Sequence, residues 1–152
     1  MFRKKSNALF RVLAVVLMLS LLAPPTAMAA TESTVQPCAS SYLQMYDTYV
    51  WPAGNGKVQV WFTVYGAQVM DELGVLTIVL QESTNQSTWR NVATYDYTDY
   101  DNMLGYDTAF HSSHVDYDGT AGRYYRAYVT IWGGRNGGGD SRRIATAAEL
   151  AT

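Results

Sequence analysis

The side chains that most often perform catalysis or bind metals are scarce in this chain. His111 and His114 are its two histidines, and Cys38 is its single cysteine. Side chains three residues apart on a β-strand point to opposite faces, so the two imidazoles are poorly placed to share a metal ion. We interpret both histidines as surface residues of an edge strand. The sequence also lacks the motifs of a nucleophile elbow, a zinc-protease helix and a phosphate loop. We therefore predict no enzyme activity, no metal site and no cofactor.

Acidic residues offer a second candidate chemistry. Asp96, Asp99, Asp101 and Asp107 lie within one segment, and loop carboxylates of this kind bind Ca²⁺ in many proteins. Asp99-Tyr100-Asp101-Asn102 does not continue into a calcium loop with the required glycine and distal glutamate, so the pattern favours the capping of turns. A glycoside hydrolase would need two carboxylates that face each other across a groove. Glu82 is available for such a pair, but no spacing selects its partner.

Tyrosine is the residue type that points to binding. Four tyrosines lie in or beside the predicted loop 98–109, separated by Asp and Asn: Tyr95, Tyr97, Tyr100 and Tyr106. Tyrosine among small polar residues is typical of recognition loops, because its ring gives contact area at a low cost in entropy. We predict that these tyrosines bind a ligand and that at least two of their ring faces are exposed beside one another. The alternative is that Tyr100 and Tyr106 pack over the open edge of a sheet.

A second aromatic set lies on the predicted strands and consists of Trp61, Tyr65, Tyr128 and Trp132. Rings on a sheet can stack on sugars, or they can pair across strands and stabilise the sheet. In an immunoglobulin-like order the two strands that carry them belong to different sheets, so they form no continuous stripe. We interpret these four rings as structural.

The elements that position these residues are predicted to be strands. Runs of β-branched and aromatic residues alternate with turn residues, and no segment has convincing helical periodicity. The predicted strands are 42–50, 58–65, 75–82, 88–97, 110–117, 122–132 and 141–147, with turns or loops at 51–56, 66–74, 98–109 and 133–139. About seven short strands at this spacing predict an all-β, two-sheet antiparallel sandwich of immunoglobulin or fibronectin type III kind.

The alternation along these strands predicts the core. The positions expected to be buried are Val58, Val60, Phe62, Val64, Leu76, Ile78, Leu80, Ala127, Val129 and Ile131. Segment 121–127 also resembles the tyrosine corner of immunoglobulin-like sandwiches, with Tyr124 as the corner residue and Arg126 in place of the antibody cysteine. The alternation conflicts with this match, because it directs Ala127 inward.

The N-terminus has the pattern of a secretory signal peptide. Basic residues precede an apolar run at 12–23, and Ala27-Met28-Ala29 has the small residues of a cleavage site. The run is about 12 residues long, shorter than the roughly 18 needed to span a bilayer. We predict cleavage after Ala29 and secretion. A flexible leader at 30–40, the sandwich domain at 41–148 and a short tail at 149–152 follow.

Processing also changes the charge of the protein. Residues 1–29 contain four of the 11 basic residues and none of the 13 acidic ones, so their removal changes the net charge from −2 to −6. An acidic surface disfavours nucleic acid and anionic membranes as partners. Cys38 lies in the leader without apolar neighbours, which favours a monomer over a dimer linked through that cysteine.

Between about 71 and 146 the chain contains, in this order, segments 73–82, 88–95, His111-Ser112-Ser113-His114, 119–130 and 137–142. Together these segments resemble a family of small exported proteins of Gram-positive, largely clostridial, bacteria. The family's domain has no assigned function. The resemblance implies a secreted, all-β protein and carries over no catalytic residue.

These observations together predict a secreted, non-catalytic β-sandwich. Its expected partner is a cell-envelope glycan, or an exported or host protein, bound through the Tyr/Asp-rich loop. The alternatives are a small secreted hydrolase and an exported antimicrobial or toxin-like sandwich.

Overall fold

The computed structural model describes residues 36–37 and 40–152 and shows an all-β, antiparallel fold. Its strands in chain order are β1 Gln36–Pro37, β2 Leu43–Gly54, β3 Lys57–Ser83, β4 Arg90–Asp96, β5 Leu104–Asp118, β6 Tyr124–Arg135, β7 Gly138–Ala145 and β8 Glu149–Leu150. A 3₁₀ turn at Asp101–Met103 precedes β5. The predicted signal peptide and Cys38 lie outside the described residues. In the part that is described, no helix is long and apolar enough to cross a membrane.

Strand β3 organises this fold because it pairs with four other strands along its 27 residues. Its first half lies between β2 and β5, and its second half lies between β4 and β6, which pairs in turn with β7. The register shifts between Tyr65 and Met70, and again between Val75 and Thr77. Such irregularities bend a strand without ending it. The loop predicted at 66–74 is therefore wrong, since this segment continues β3.

The second irregularity also decides which side chains of β3 face the core. Val75 and Ile78 are fully buried, whereas Leu76 is only half-buried. An extra residue in a strand reverses the inward and outward alternation, so Val75 takes the place predicted for Leu76. The other nine predicted core residues are completely buried.

Two-residue turns join β2 to β3 and β6 to β7, so the turns are much tighter than predicted. Asn55 and Gly56 have φ values of 55° and 79°, and Asn136 and Gly137 have 52° and 76°. Asn-Gly with both residues at positive φ is the preferred hairpin turn, because its twist matches that of the strands. Pro52 remains within β2 beside a register shift, where a missing N–H is tolerated.

Parts of the predicted loop 98–109 and of the predicted tail 149–152 also belong to the sheet. β5 begins at Leu104, so the second half of the predicted loop 98–109 is strand. β8 pairs with Tyr124 and Tyr125, and Ala151 is buried. The Thr152 carbonyl accepts a 2.8 Å hydrogen bond from the Gly56 backbone N–H. The C-terminal residues therefore close the fold beside the β2–β3 turn.

The tyrosine that folds back onto the turn before β6 is Tyr125, one residue after the predicted Tyr124. The Tyr125 side chain is completely buried, and its hydroxyl accepts a 2.9 Å hydrogen bond from the Thr120 backbone N–H. The same hydroxyl donates to Glu82 Oε2 at 2.7 Å. This assignment removes the conflict with the alternation, because the residue two positions later is Ala127, which faces the core.

Candidate binding surfaces

The four predicted ligand-binding tyrosines do not form one exposed group. Tyr95 is buried, and its hydroxyl donates a 2.7 Å hydrogen bond to the Asp116 carbonyl. Burial raises the pKa of Tyr95 to about 12. The Tyr95 ring is therefore part of the core and is not available to a ligand. Tyr97, Tyr100 and Tyr106 are exposed, by 40%, 39% and 62%.

The segment between β4 and β5 instead covers the outer edge of β5. Asn102 Nδ2 donates to the His114 carbonyl at 2.8 Å and to Ser113 Oγ at 3.0 Å. His111 Nε2 lies 2.9 Å from the Asn102 carbonyl, and Tyr100 packs edge-on against Tyr95. An exposed strand edge invites unwanted pairing, and these contacts block it. This part of the predicted binding loop therefore has a structural role.

The two histidines face opposite sides of β5, as their spacing predicts. His111 pairs with Val64 and lies against the buried Phe62 ring, at a centroid distance of 5.8 Å. His114 pairs with Trp61 and stacks on its indole at 4.3 Å. Within the described residues, no three His, Cys, Asp or Glu side chains come together as a metal site.

Two of the acidic residues singled out in the sequence, Asp96 and Glu82, have protein partners. Asp96 accepts hydrogen bonds from the Thr98 backbone N–H and hydroxyl, which lower the pKa of Asp96. Glu82 accepts from Tyr125 and from Arg90, and the Tyr125 bond is the main cause of the lowered pKa of Glu82. Glu82 is thus held as an ionised structural group.

The largest group of exposed rings lies on the outer face of β2, β3 and β5. Strand register places four rows of side chains across this face: Met45–Tyr65–Phe110, Asp47–Thr63–Ser112, Tyr49–Trp61–His114 and Trp51–Gln59–Asp116. We call the rings of this surface the aromatic face, defined by Tyr49, Trp51, Trp61, Phe110 and His114. Trp51, Phe110 and Tyr49 are 56%, 49% and 42% exposed.

Ring contacts and a hydrogen-bond network hold the aromatic face in one arrangement. Trp61 lies parallel to Tyr49, with ring centroids 6.4 Å apart, and stacks on His114 on its other side. Trp61 Nε1 donates to Gln59 Oε1 at 3.0 Å, and Gln59 Nε2 donates to Asp116 Oδ1 at 2.8 Å. Gln59, which holds Trp61, is thus itself held by Asp116. This chain of hydrogen bonds pre-organises the surface.

Sequence reasoning missed most of this surface. Trp51 was assigned to a turn because Pro52 follows it, and Tyr49 lies on a strand with a weak pattern. The signal was present, because Tyr49 and Trp51 alternate with the inward Val50. Their alignment with Trp61 depends on strand register, which no local pattern contains.

The rings of Trp89 and Tyr128 differ from those of the aromatic face because arginines lie against them. The Arg126 guanidinium lies 4.1 Å from the Trp89 ring centroid and 5.4 Å from that of Tyr128. Arg143 lies 5.1 Å from the Tyr128 ring on β6. These cation–π contacts occupy the ring faces and support a structural role.

An open recess lies at the β6–β7 hairpin and has a volume of about 300 Å³. We call it the hairpin recess, and its lining residues are Asp71, Glu72, Trp132, Gly134, Arg135, Gly137, Gly138 and Gly139. Tyr106, the fourth predicted binding tyrosine, is the cross-strand neighbour of Glu72. Tyr106 lies near the start of β5, seven residues before Ser113, whose hydroxyl accepts a hydrogen bond from Asn102.

Comparison with known proteins finds no matching family model, no matching curated protein and no matching solved structure.

Proposed function

We propose that this protein is a secreted, non-catalytic binding domain that holds a cell-envelope glycan on its aromatic face. The observation that carries the proposal is the exposure of Tyr49, Trp51 and Phe110 on one open sheet surface. Exposed apolar rings that lie together with polar groups on one surface of a soluble domain mark an interaction site. Aromatic ring faces carry partial negative charge and attract the C–H groups of a sugar ring.

The polar groups of the same surface match the other half of a sugar. Asp47, Thr63 and Ser112 form a polar row between the ring rows, and Thr63 Oγ1 lies 2.9 Å from Ser112 Oγ. Sugars present hydroxyl groups around an apolar ring, so they need both hydrogen-bonding groups and stacking surfaces. An open sheet face also admits a long polymer, whereas a closed pocket admits only small ligands.

We further propose that the fold is a fibronectin type III-like sandwich with β3 running through both sheets. Two groups of strands support this arrangement: β2–β3–β5 on one side and β4–β3–β6–β7 on the other. They correspond to the A-B-E and C′-C-F-G orders of such domains. Tyr125 supports it as well, because its hydroxyl bonds the backbone five residues upstream, as a corner tyrosine does.

Export is the part of this proposal that the N-terminal pattern supports. The resemblance of the sequence to small exported proteins of Gram-positive bacteria agrees with it. The extracellular protein is then expected to begin at Ala30 or within a residue or two of it. N-terminal sequencing of the protein from the culture medium tests this directly, and an intact N-terminus there would contradict export by cleavage.

Co-sedimentation with insoluble glycans tests the function. The protein from residue 30 onward is mixed with washed peptidoglycan, chitin or cellulose, and the bound fraction is measured after centrifugation. We expect binding to at least one polymer, and a loss of about tenfold or more in affinity for Trp51→Ala and for Tyr49→Ala.

Two further variants make the result specific. Val69→Ala removes an apolar side chain that is 55% exposed but lies outside the aromatic face, and it should bind as the wild type does. Tyr97→Ala tests the loop that the sequence predicts. Loss of binding in Tyr97→Ala but not in Trp51→Ala would move the site to that loop, and absence of binding to every polymer would contradict the proposal.

A further inference from the structure

The hairpin recess has no role in the proposed function, yet close packing against the backbone fixes the position of its Trp132 ring. The Trp132 indole lies against the backbone of the β6–β7 hairpin. A Cβ added at Gly134 would lie 2.9 Å from Trp132 Cζ2, and one at Gly139 would come closer still to the same ring. Any side chain at these two positions would displace the indole. Gly134 and Gly139, which are predicted to lie in a loop, thus leave the space that the Trp132 ring occupies.

Each of the two carboxylates of the recess, Asp71 and Glu72, accepts a hydrogen bond through one of its two oxygens. Glu72 Oε2 accepts a 3.0 Å hydrogen bond from Trp132 Nε1, and Asp71 Oδ2 accepts a 2.7 Å bond from the Asn136 backbone N–H. These bonds fix the two side chains, and the other carboxylate oxygens make no hydrogen bond with the described residues, so they retain their capacity as acceptors. Each carboxylate is therefore positioned by the protein and still able to bind a ligand.

Arg135 supplies the complementary donors. Arg135 is one of the residues that line the recess, and its side chain makes no hydrogen bond, ion pair or ring contact with the residues at 36–37 and 40–152. The guanidinium carries five N–H donors and remains charged at all relevant pH values. The recess therefore combines fixed acceptors, free donors and an aromatic ring in a volume at the lower end of the range for small-molecule sites.

We infer that the hairpin recess binds the terminal unit of a saccharide through neighbouring hydroxyl groups. A pair of hydroxyls can donate to Asp71 and Glu72 and accept from Arg135, which a purely cationic or purely anionic ligand cannot do. The Trp132 ring provides the apolar contact beside them. This site is distinct from the aromatic face, and the inference does not depend on the function proposed for that face.

The indole N–H of Trp132 provides the test, because it lies in the recess and bonds to Glu72. The ¹⁵N-labelled protein from residue 30 onward is titrated with glucose, galactose, mannose and N-acetylglucosamine, each to about 50 mM, since a shallow site of this kind is expected to bind in the millimolar range. Trp132→Phe assigns the indole signal. We expect a saturable shift of the Trp132 signal with at least one sugar.

Three variants test whether the sugar binds in the hairpin recess. Arg135→Ala is expected to weaken it about tenfold, through loss of charged hydrogen bonds. Glu72→Gln retains an acceptor for Trp132 but should also weaken it. Arg143→Ala is the matched control, since it removes an exposed arginine of β7 outside the recess and should leave the titration unchanged.

Two results would overturn the inference. One is that no sugar of the panel shifts the Trp132 signal. The other is that Arg135→Ala and Glu72→Gln titrate as the wild type does. Trp51→Ala separates this site from the aromatic face, because it should weaken binding to polymers about tenfold or more and leave the monosaccharide titration unchanged.

Discussion

The hydroxyl of Tyr95 donates a 2.7 Å hydrogen bond to the carbonyl oxygen of Asp116, and it thereby joins the end of β4 to the free edge of β5. The Tyr95 ring is buried, so this bond is shielded from water. Together with the bond from Asn102 to the His114 carbonyl, it satisfies edge groups that would otherwise be open to pairing with another chain.

Tyr95→Phe is therefore expected to destabilise the protein by about 1 kcal/mol, the usual net value of one such hydrogen bond. The free energy of unfolding is measured by urea denaturation. Tyr97→Phe is the matched control, because Tyr97 is exposed and its hydroxyl makes no bond with the described residues. Equal stability of the two variants would show that the Tyr95 bond contributes nothing.

The same burial predicts an alkaline limit of stability. The pKa of Tyr95 is raised from 10.0 to about 12, mainly by desolvation. A group whose pKa is higher in the folded protein stabilises it below the unfolded pKa, and this contribution is lost as the pH rises from 10 towards 12. Tyr95→Phe should lose less stability across this range than the wild type. The comparison of urea midpoints at pH 9, 10 and 11 tests it.

The carboxyl group of Glu82 is expected to make the stability of the protein depend on pH in the opposite direction. Its pKa is lowered from 4.5, chiefly by the hydrogen bond from the Tyr125 hydroxyl. A carboxyl with a lowered pKa in the folded state stabilises the protein above its unfolded pKa, and that contribution is lost as the pH falls below about 4.5. Tyr125→Phe removes the main cause of the shift. Its stability should therefore fall less steeply with acidification than that of the wild type, as measured by thermal unfolding between pH 6 and pH 3.

The first half of β3 shows what a local pattern can predict. Val58, Val60, Phe62 and Val64 alternate with polar and aromatic residues, and one buried face is enough to produce that period. Phe62→Ala is expected to cost about 3–5 kcal/mol, from lost burial and from the cavity that remains. Thr63→Ala, on the opposite face of the same strand, should cost less than about 1 kcal/mol. A small loss for Phe62→Ala in urea denaturation would contradict its place in the core.

The aromatic face and the bend of β3 could not be predicted in the same way. The segment from Gly66 to Gly74 resembles a loop in sequence, and pairing with β2, β5 and β6 keeps it extended. Tyr49 and Phe110 are 61 residues apart in the sequence. They share a surface only because β2 and β5 pair with the same part of β3. Register between distant strands is a tertiary property, and short sequence patterns do not specify it.

The tyrosine prediction failed in part for a related reason. Composition identifies tyrosines that are useful for binding, but it does not distinguish an exposed ring from one that seals an edge. Tyr95 has the same neighbours in sequence as a recognition tyrosine, yet its position opposite Ile78 directs it into the core. Tyr97, Tyr100 and Tyr106 are exposed, as a binding role requires.

The irregularity at Leu76 allows a prediction that runs against side-chain size. Leucine is larger and more apolar than valine, so composition alone suggests that Leu76→Ala destabilises the protein more than Val75→Ala does. The bulge reverses this order, because Val75 is completely buried and Leu76 is only half-buried. Val75→Ala is expected to cost about 2 kcal/mol, since a fully buried apolar group is lost and a cavity remains. Leu76→Ala is expected to cost less than about 1.5 kcal/mol, because water already reaches the side chain. Urea denaturation of both variants tests the order, and a larger loss for Leu76→Ala would mean that β3 keeps a regular alternation through this position.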